Sequence, residues 1–166
     1  MYRRILVPLE HSPYDEAVLT HVRQLARLCG ATLVFIHVAD GFAARNLKSL
    51  DLRESEEMQA DRAYLEEVAD AFETEGLDAE ALLATGDPGV EIASAAEREK
   101  VDLIAMSTHG HKFLNDLVRG SVANDVRHAT RIPVLLVRGK AERTGEFPAI
   151  HDLTPRPADT RMPKRP

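Results

Sequence analysis

The chain has 166 residues, the usual size of one domain and enough to bury a sizeable core. Its net charge of −6 argues against nucleic acid as a partner, because proteins that bind nucleic acids usually carry a basic patch. The single cysteine, Cys29, excludes a disulfide within the chain. The sequence shows no signal-peptide pattern and no apolar run of the roughly 18 residues that suggest a membrane helix, which predicts a cytoplasmic protein without membrane insertion.

Short apolar runs alternate with helical patterns along residues 1–140, and this alternation is typical of a parallel sheet covered by helices on both faces. Five strands are predicted, at residues 5–9, 32–38, 79–84, 101–106 and 133–137. Four helices are predicted between them, at residues 13–28, 55–75, 90–96, and from 118 or 121 to 129. Residues 39–54 have weak periodicity and are predicted to be a mobile loop.

Residues with special backbone preferences support these boundaries. Pro8 is predicted to end the first strand, because proline donates no N–H to a ladder. Ser12 is predicted to cap the first helix, with Pro13 at its first position and Gly30 just past its end. Asp87 is predicted to be a turn or cap residue before the third helix.

The most informative motif is Ser107-Thr-His-Gly110, followed after nine residues by Gly120-Ser121-Val122. It follows the predicted fourth strand and opens the fourth helix. Glycines let the backbone approach an anion closely, and amides at a helix N-terminus supply partial positive charge. The motif contains no Walker lysine, so it is predicted to hold phosphates through amides and hydroxyls, with Arg119 as the nearest cation.

This spacing resembles the nucleotide loop of the universal stress protein family, which reads Gly, two residues, Gly, nine residues, Gly-Ser/Thr. Gly110, Gly120 and Ser121 match it. Ser107 stands where the first glycine is usual, at a position that requires either a small side chain or a positive φ. The resemblance covers roughly residues 1–140, which are predicted to form the domain. Residues 141–166 are rich in Pro, Arg and Asp and are predicted to be a disordered tail.

The predicted fold is an open, doubly wound, Rossmann-like α/β sheet of five parallel strands with helices on both faces. The resemblance implies the strand order 3-2-1-4-5 of the adenine nucleotide alpha hydrolase-like folds, which sets the first and fourth strands side by side. Ligands of such sheets bind beyond the carboxyl ends of the strands, where the strand order reverses. The loops after Leu9 and Met106 are therefore expected to face one crevice.

The resemblance implies that this crevice binds ATP, or ADP or AMP, with Mg²⁺ accompanying the phosphates. The nucleotide-binding residues it implies are Pro8, Glu10, Val38, Met106, Ser107, Gly110, Gly120, Ser121 and Val122. Glu10 stands where aspartate is usual, and its carboxylate can accept hydrogen bonds from ribose or adenine. Val38 is expected to lie against the adenine.

Histidines near the expected crevice have more than one reading. His11 stands where the family commonly has glycine and adds bulk there, either as a ligand contact or as a solvated loop residue. His109 and His111 suggest a phosphate contact more than a metal site, because zinc usually needs three or four converging ligands. No metal ligand among the protein side chains is predicted, and no catalytic constellation is found.

The favoured hypothesis is a nucleotide-responsive stress or regulatory module that an unknown protein partner recognises. At most slow ATP hydrolysis is expected, since no residue is evidently placed to activate water. The resemblance also implies a homodimer through the last strand, Pro133 to Val137, which would otherwise be an exposed edge. The alternatives are a stress module that binds no nucleotide and acts through protein contacts, which Ser107, Glu10 and His11 favour, and a weak ATPase.

Overall fold

The computed structural model of the chain describes residues 1–39, 56–109 and 122–139. The strands in these residues are β1 (Arg4–Pro8), β2 (Thr32–Ala39), β3 (Ala79–Thr85), β4 (Leu103–His109) and β5 (Val134–Gly139). The helices are α1 (Asp15–Cys29), α2 (Glu56–Thr74), α3 (Pro88–Arg98) and α4 (Val122–Ala129). None of the helices in the described residues is long and apolar enough to cross a membrane.

All five strands pair in parallel in the order β3-β2-β1-β4-β5, which confirms the predicted fold class. Side chains alternate between the two faces of the sheet, as the period of a strand requires. One face packs against α1 and α2, where Phe35 of β2 meets Phe72 of α2 edge-on with ring centroids 5.0 Å apart. The other face packs against α3 and α4 around Leu6, Ile36 and Ile104.

The start of α1 differs from the prediction. The helix begins at Asp15 rather than Pro13, and its N-cap is Tyr14, which makes no side-chain cap bond. The Ser12 carbonyl accepts the Asp15 N–H at 3.0 Å, and the Ser12 hydroxyl accepts the Tyr14 N–H at 3.3 Å, so residues 12–15 form a turn ahead of the helix. The predicted end is confirmed, since Gly30 adopts the left-handed conformation with φ of 63°.

The fourth strand also differs from the prediction. It runs from Leu103 to His109, so Ser107 belongs to the strand and not to the loop that follows it. The reason is pairing with β5, which aligns Ser107 with Val137 and His109 with Gly139. Strand β5 correspondingly starts one residue later than predicted and ends two residues later.

Candidate functional site

The pairing of β1 with β4 ends before either strand does, at the carboxyl end of the sheet, and we call this point the crevice. The ladder that joins these two strands ends at Leu6 and Ile104. Strand β1 nevertheless continues to Pro8 beside β2, and β4 continues to His109 beside β5. The strand order reverses at this point, because the chain leads from β1 to β2 on one side and reaches β4 on the other.

Several predicted binding residues lie around this crevice on the face that packs against α3 and α4. Met106 is buried in that face, and Val38 and Val122 are half-buried against it. Pro8 is buried at the end of β1, two residues after Leu6 of the same face. The structure therefore brings four of the predicted side chains to one side of the sheet, at the end where its strands stop.

Ser107 and Glu10 are the remaining predicted binding residues that the structure describes, and they differ in exposure. Ser107 is half-buried near the end of β4. Among the described non-glycine residues, a positive φ occurs at His11 and Lys100, so Ser107 does not need the backbone freedom of glycine. Glu10 is exposed directly after Leu9, where β1 has ended.

Three predicted binding residues, Gly110, Gly120 and Ser121, lie outside the described residues. The same holds for His111 and Arg119, for most of the predicted loop at 39–54, and for the predicted tail at 141–166. The structure therefore describes the strand that leads into the glycine motif and the helix that follows it.

The loop between β1 and α1, residues 9–14, is held by Asp15. The Asp15 carboxylate accepts the N–H of Glu10 at 3.1 Å, the N–H of Ser12 at 3.1 Å and the hydroxyl of Tyr64 at 3.0 Å. Burial raises the pKa of Asp15, and these hydrogen bonds oppose the shift. The carboxylate thus fixes the loop on both sides of His11.

A second carboxylate, Asp61 of α2, contacts two imidazoles. Its Oδ1 lies 2.9 Å from Nδ1 of His11, and its Oδ2 lies 3.3 Å from Nε2 of His37. The other ring nitrogen of His37, Nδ1, lies 2.9 Å from the Leu9 carbonyl oxygen. We call His11, Asp61 and His37 the histidine clamp. Among the described residues, no group of three or more His, Cys, Asp or Glu is arranged to hold a metal ion.

The structure gives His11 contacts within the protein that neither predicted reading included. Its ring stacks on Tyr64 with centroids 4.3 Å apart and planes at 11°. With the Asp61 contact, this makes His11 a packed loop residue of φ 53° rather than a freely solvated one.

Sequence reasoning missed Asp61, Tyr64 and His37. A signal for Asp61 was present, because it falls at helical spacing between Met58 and Leu65 on the apolar face of α2 and is buried there. An acidic residue is rarely fully buried without a partner.

An all-parallel sheet that opens at its strand reversal defines an α/β protein of the doubly wound class. The chain belongs to the universal stress protein family, whose family model matches residues 1–138.

Known proteins agree with this assignment. A universal stress protein from Methanocaldococcus jannaschii is 28% identical over 160 residues, covering 84% of this chain and 97% of its own. A solved structure at 28% identity superposes with a TM-score of 0.67 and covers 86% of this chain and 99% of that one.

Two further solved structures share the fold and are described with a ligand. A universal stress protein in complex with cAMP has a TM-score of 0.69 at 21% identity and covers 84% of this chain and 99% of that one. One from Archaeoglobus fulgidus, in complex with dAMP, has a TM-score of 0.62 at 22% identity and covers 82% of this chain and 98% of that one.

Proposed function

We propose that this protein binds an adenine nucleotide in the crevice between β1 and β4 and acts as a nucleotide-responsive regulatory module. The observation that carries the proposal is the early end of the β1–β4 ladder at Leu6 and Ile104, while both strands continue beside their other neighbours. This separation leaves space between two strand ends at the point where doubly wound sheets bind ligands.

The residues around the crevice suit the two ends of such a ligand. Val38 and Met106 offer apolar surface for a base, and the exposed Glu10 offers a carboxylate for ribose hydroxyls or the adenine amine. Helix α4 begins at Val122, so its first amides can meet phosphate oxygens. Gly110, Gly120 and Ser121 would complete the phosphate site, with Mg²⁺ accompanying a triphosphate.

Related proteins support the choice of ligand class. The neighbours solved with cAMP and with dAMP hold ligands that share an adenine base and one phosphate. The dimer implied by the family resemblance would use β5, which is an edge strand of the sheet and has Leu136 49% exposed.

Nucleotide binding is tested by thermal shift and calorimetry with ATP, ADP, AMP and cAMP, each with and without Mg²⁺. At a ligand concentration of about 100 Kd the free energy of unfolding should rise by about 2.7 kcal/mol, which raises the melting temperature by several degrees. Val38→Lys should remove the shift by placing a charge in the crevice, and Gly120→Leu should remove it by blocking close approach to phosphate.

The matched control is Val90→Lys, since Val90 is 59% exposed on α3 and should keep the full shift. Melting temperatures of the unliganded variants separate lost binding from lost folding. Flat calorimetry with every nucleotide would overturn the proposal and favour a module that acts through protein contacts alone.

A further inference from the structure

We propose that Asp61 is a positioning residue for the crevice, and that the histidine clamp makes nucleotide affinity depend on a proton held between His37 and Asp61. This inference rests on the proposed function. Neither imidazole needs to touch the ligand, since both act through the loop at residues 9–14.

The contacts of His37 indicate which of its ring nitrogens carry a proton. A carbonyl oxygen only accepts, so the nitrogen 2.9 Å from the Leu9 oxygen, Nδ1, must donate. In a neutral ring the other nitrogen, Nε2, would then carry only a lone pair, 3.3 Å from an oxygen of the Asp61 carboxylate, which is repulsive. A proton on Nε2 converts that contact into an ion pair, so the doubly protonated ring satisfies both contacts.

Because His37 and Asp61 are mostly buried, the proton on Nε2 has a strong effect on their interaction. The side chains of His37 and Asp61 are 16% and 10% exposed, so water screens their interaction only partly. His11 can donate its Nδ1 proton to the other oxygen of Asp61 whether or not its ring is charged. One carboxylate therefore anchors β2 through His37 and the loop through His11.

The clamp acts on the residue proposed to contact the nucleoside. Glu10 is flanked by Leu9, whose carbonyl accepts from His37, and by His11, whose ring is fixed by Asp61 and Tyr64. Asp15 still holds the amides of Glu10 and Ser12, so loosening either clamp contact removes one of several restraints on the backbone beside Glu10. The Glu10 carboxylate would then be less ordered before ligand binds, and ordering it on binding costs affinity.

The groups that face the clamp come from each packed element. Helix α2 supplies Tyr64, α1 supplies Asp15 through the Tyr64 hydroxyl, and β3 places the apolar Leu83 beside His37. Burial, with the nearby Asp15 carboxylate, raises the pKa of Tyr64, so its hydroxyl keeps its proton. An imidazole can carry one proton or two, so the two histidines are the groups of the clamp whose protonation changes its charge.

The test is calorimetry with ATP and Mg²⁺ at about pH 6 and about pH 8.5. Wild type should bind roughly threefold to tenfold more weakly at the higher pH, the worth of about one hydrogen bond. Asp61→Asn and His37→Gln should bind weakly at both pH values. Asp70→Asn and His21→Gln, exposed residues on α2 and α1, are the matched controls and should behave as wild type.

The ratio of each variant to its control at one pH removes the titration of the nucleotide itself. His11→Gly provides a second route, since it removes one imidazole without straining the loop, and it should weaken binding at both pH values. A pH profile of Asp61→Asn that parallels wild type would overturn the proposal.

Ring-nitrogen NMR of the ligand-free protein separates this inference from the proposed function. The clamp requires two protonated nitrogens on His37 at about pH 6, and faster exchange of the Glu10 and Ser12 amides in Asp61→Asn. If neither wild type nor any variant binds a nucleotide but these signatures are present, the proposed ligand is wrong and the clamp itself stands. A singly protonated His37 at that pH overturns the clamp whatever binds.

Discussion

His11 has a backbone conformation that residues other than glycine rarely adopt. Its φ of 53° lies in the left-handed region, where a Cβ crowds the following carbonyl and costs roughly 1–2 kcal/mol. The hydrogen bond to Asp61 and the stack on Tyr64 offset that cost. These two contacts fix the imidazole ring against α2.

Two substitutions of His11 should separate the strain from the contacts. His11→Ala loses the contacts and keeps the strained φ, so its free energy of unfolding should fall by about 1–3 kcal/mol. His11→Gly loses the same contacts and relieves the strain, so it should be about 1 kcal/mol more stable than the alanine variant. Urea denaturation measures both.

Lys100 is the control for this pair. It is exposed with φ of 52°, so Lys100→Gly should also be more stable than Lys100→Ala by about 1 kcal/mol. Equal stability of the two His11 variants, with a difference retained at Lys100, would show that the His11 backbone stores no strain.

The strands that carry Pro8, Val38 and Met106 were predictable from the sequence, although β4 runs three residues beyond Met106. The strand period and the family resemblance located Pro8, Val38 and Met106, because both depend on order along the chain. The contact between His11 and Asp61 was not predictable in this way. It joins residues 50 positions apart, and only the packing of α2 brings them together.

Element boundaries depended on tertiary contacts that a linear pattern does not show. Helix α1 starts late because Asp15 turns back to the amides of Glu10 and Ser12, which leaves Ser12 in the preceding turn. Strand β4 runs long because β5 supplies partners up to His109. Gly30 and Asp87 were predictable, since each works locally: Gly30 ends α1, and Asp87 caps α3 by accepting the Val90 N–H at 3.1 Å.

Gly89 sets the distance between α3 and α4. A Cβ built on it would lie 2.8 Å from Cβ of Asp125, which is too close for a real contact and involves an atom attached to the backbone. Helix α4 also supplies the amides proposed to meet phosphate. The packing of these two helices therefore links stability to the site.

Gly89→Ala should destabilise the protein, although alanine at an ordinary helix position would stabilise it. Overpacking typically costs about 1–3 kcal/mol, more than the roughly 1 kcal/mol that helix propensity returns. Urea denaturation should show the loss, and calorimetry should show weaker nucleotide binding because α4 shifts. Val90→Ala, next to it and exposed, is the control with little change. A gain in stability for Gly89→Ala would contradict the close approach.

The amino and carboxyl ends of the parallel strands, which form two opposite edges of the sheet, are held differently. At the amino edge, the Asp102 carboxylate accepts the N–H of Arg3 at 2.9 Å and of Arg4 at 3.2 Å. The Arg4 guanidinium spans β2 to reach Glu80 of β3 and also contacts Glu99 after α3. At the carboxyl edge, β1 and β4 separate. Neither periodicity nor composition fixes this arrangement, because the strand order that produces it was implied only by the resemblance.

Charge at the amino edge should give stability a defined dependence on pH. Both Glu80 oxygens accept from Arg4, at 2.8 and 2.7 Å, and these bonds lower the pKa of Glu80 below its ordinary 4.5. A carboxyl whose pKa is lower when folded contributes stability above its ordinary pKa and loses it as pH falls through the folded value. The contribution is small, because the Glu80 side chain is 51% exposed.

Glu80→Gln should therefore lower the free energy of unfolding by at most about 1 kcal/mol at neutral pH. The difference from wild type should shrink as the pH falls below 4.5 and should also shrink in high salt. Urea denaturation across this range measures it, with Glu66→Gln on the exposed side of α2 as the control. A difference that grows on acidification would mean that Arg4 does not stabilise the ionised form, and that the amino edge is held by its backbone ladders and Asp102 alone.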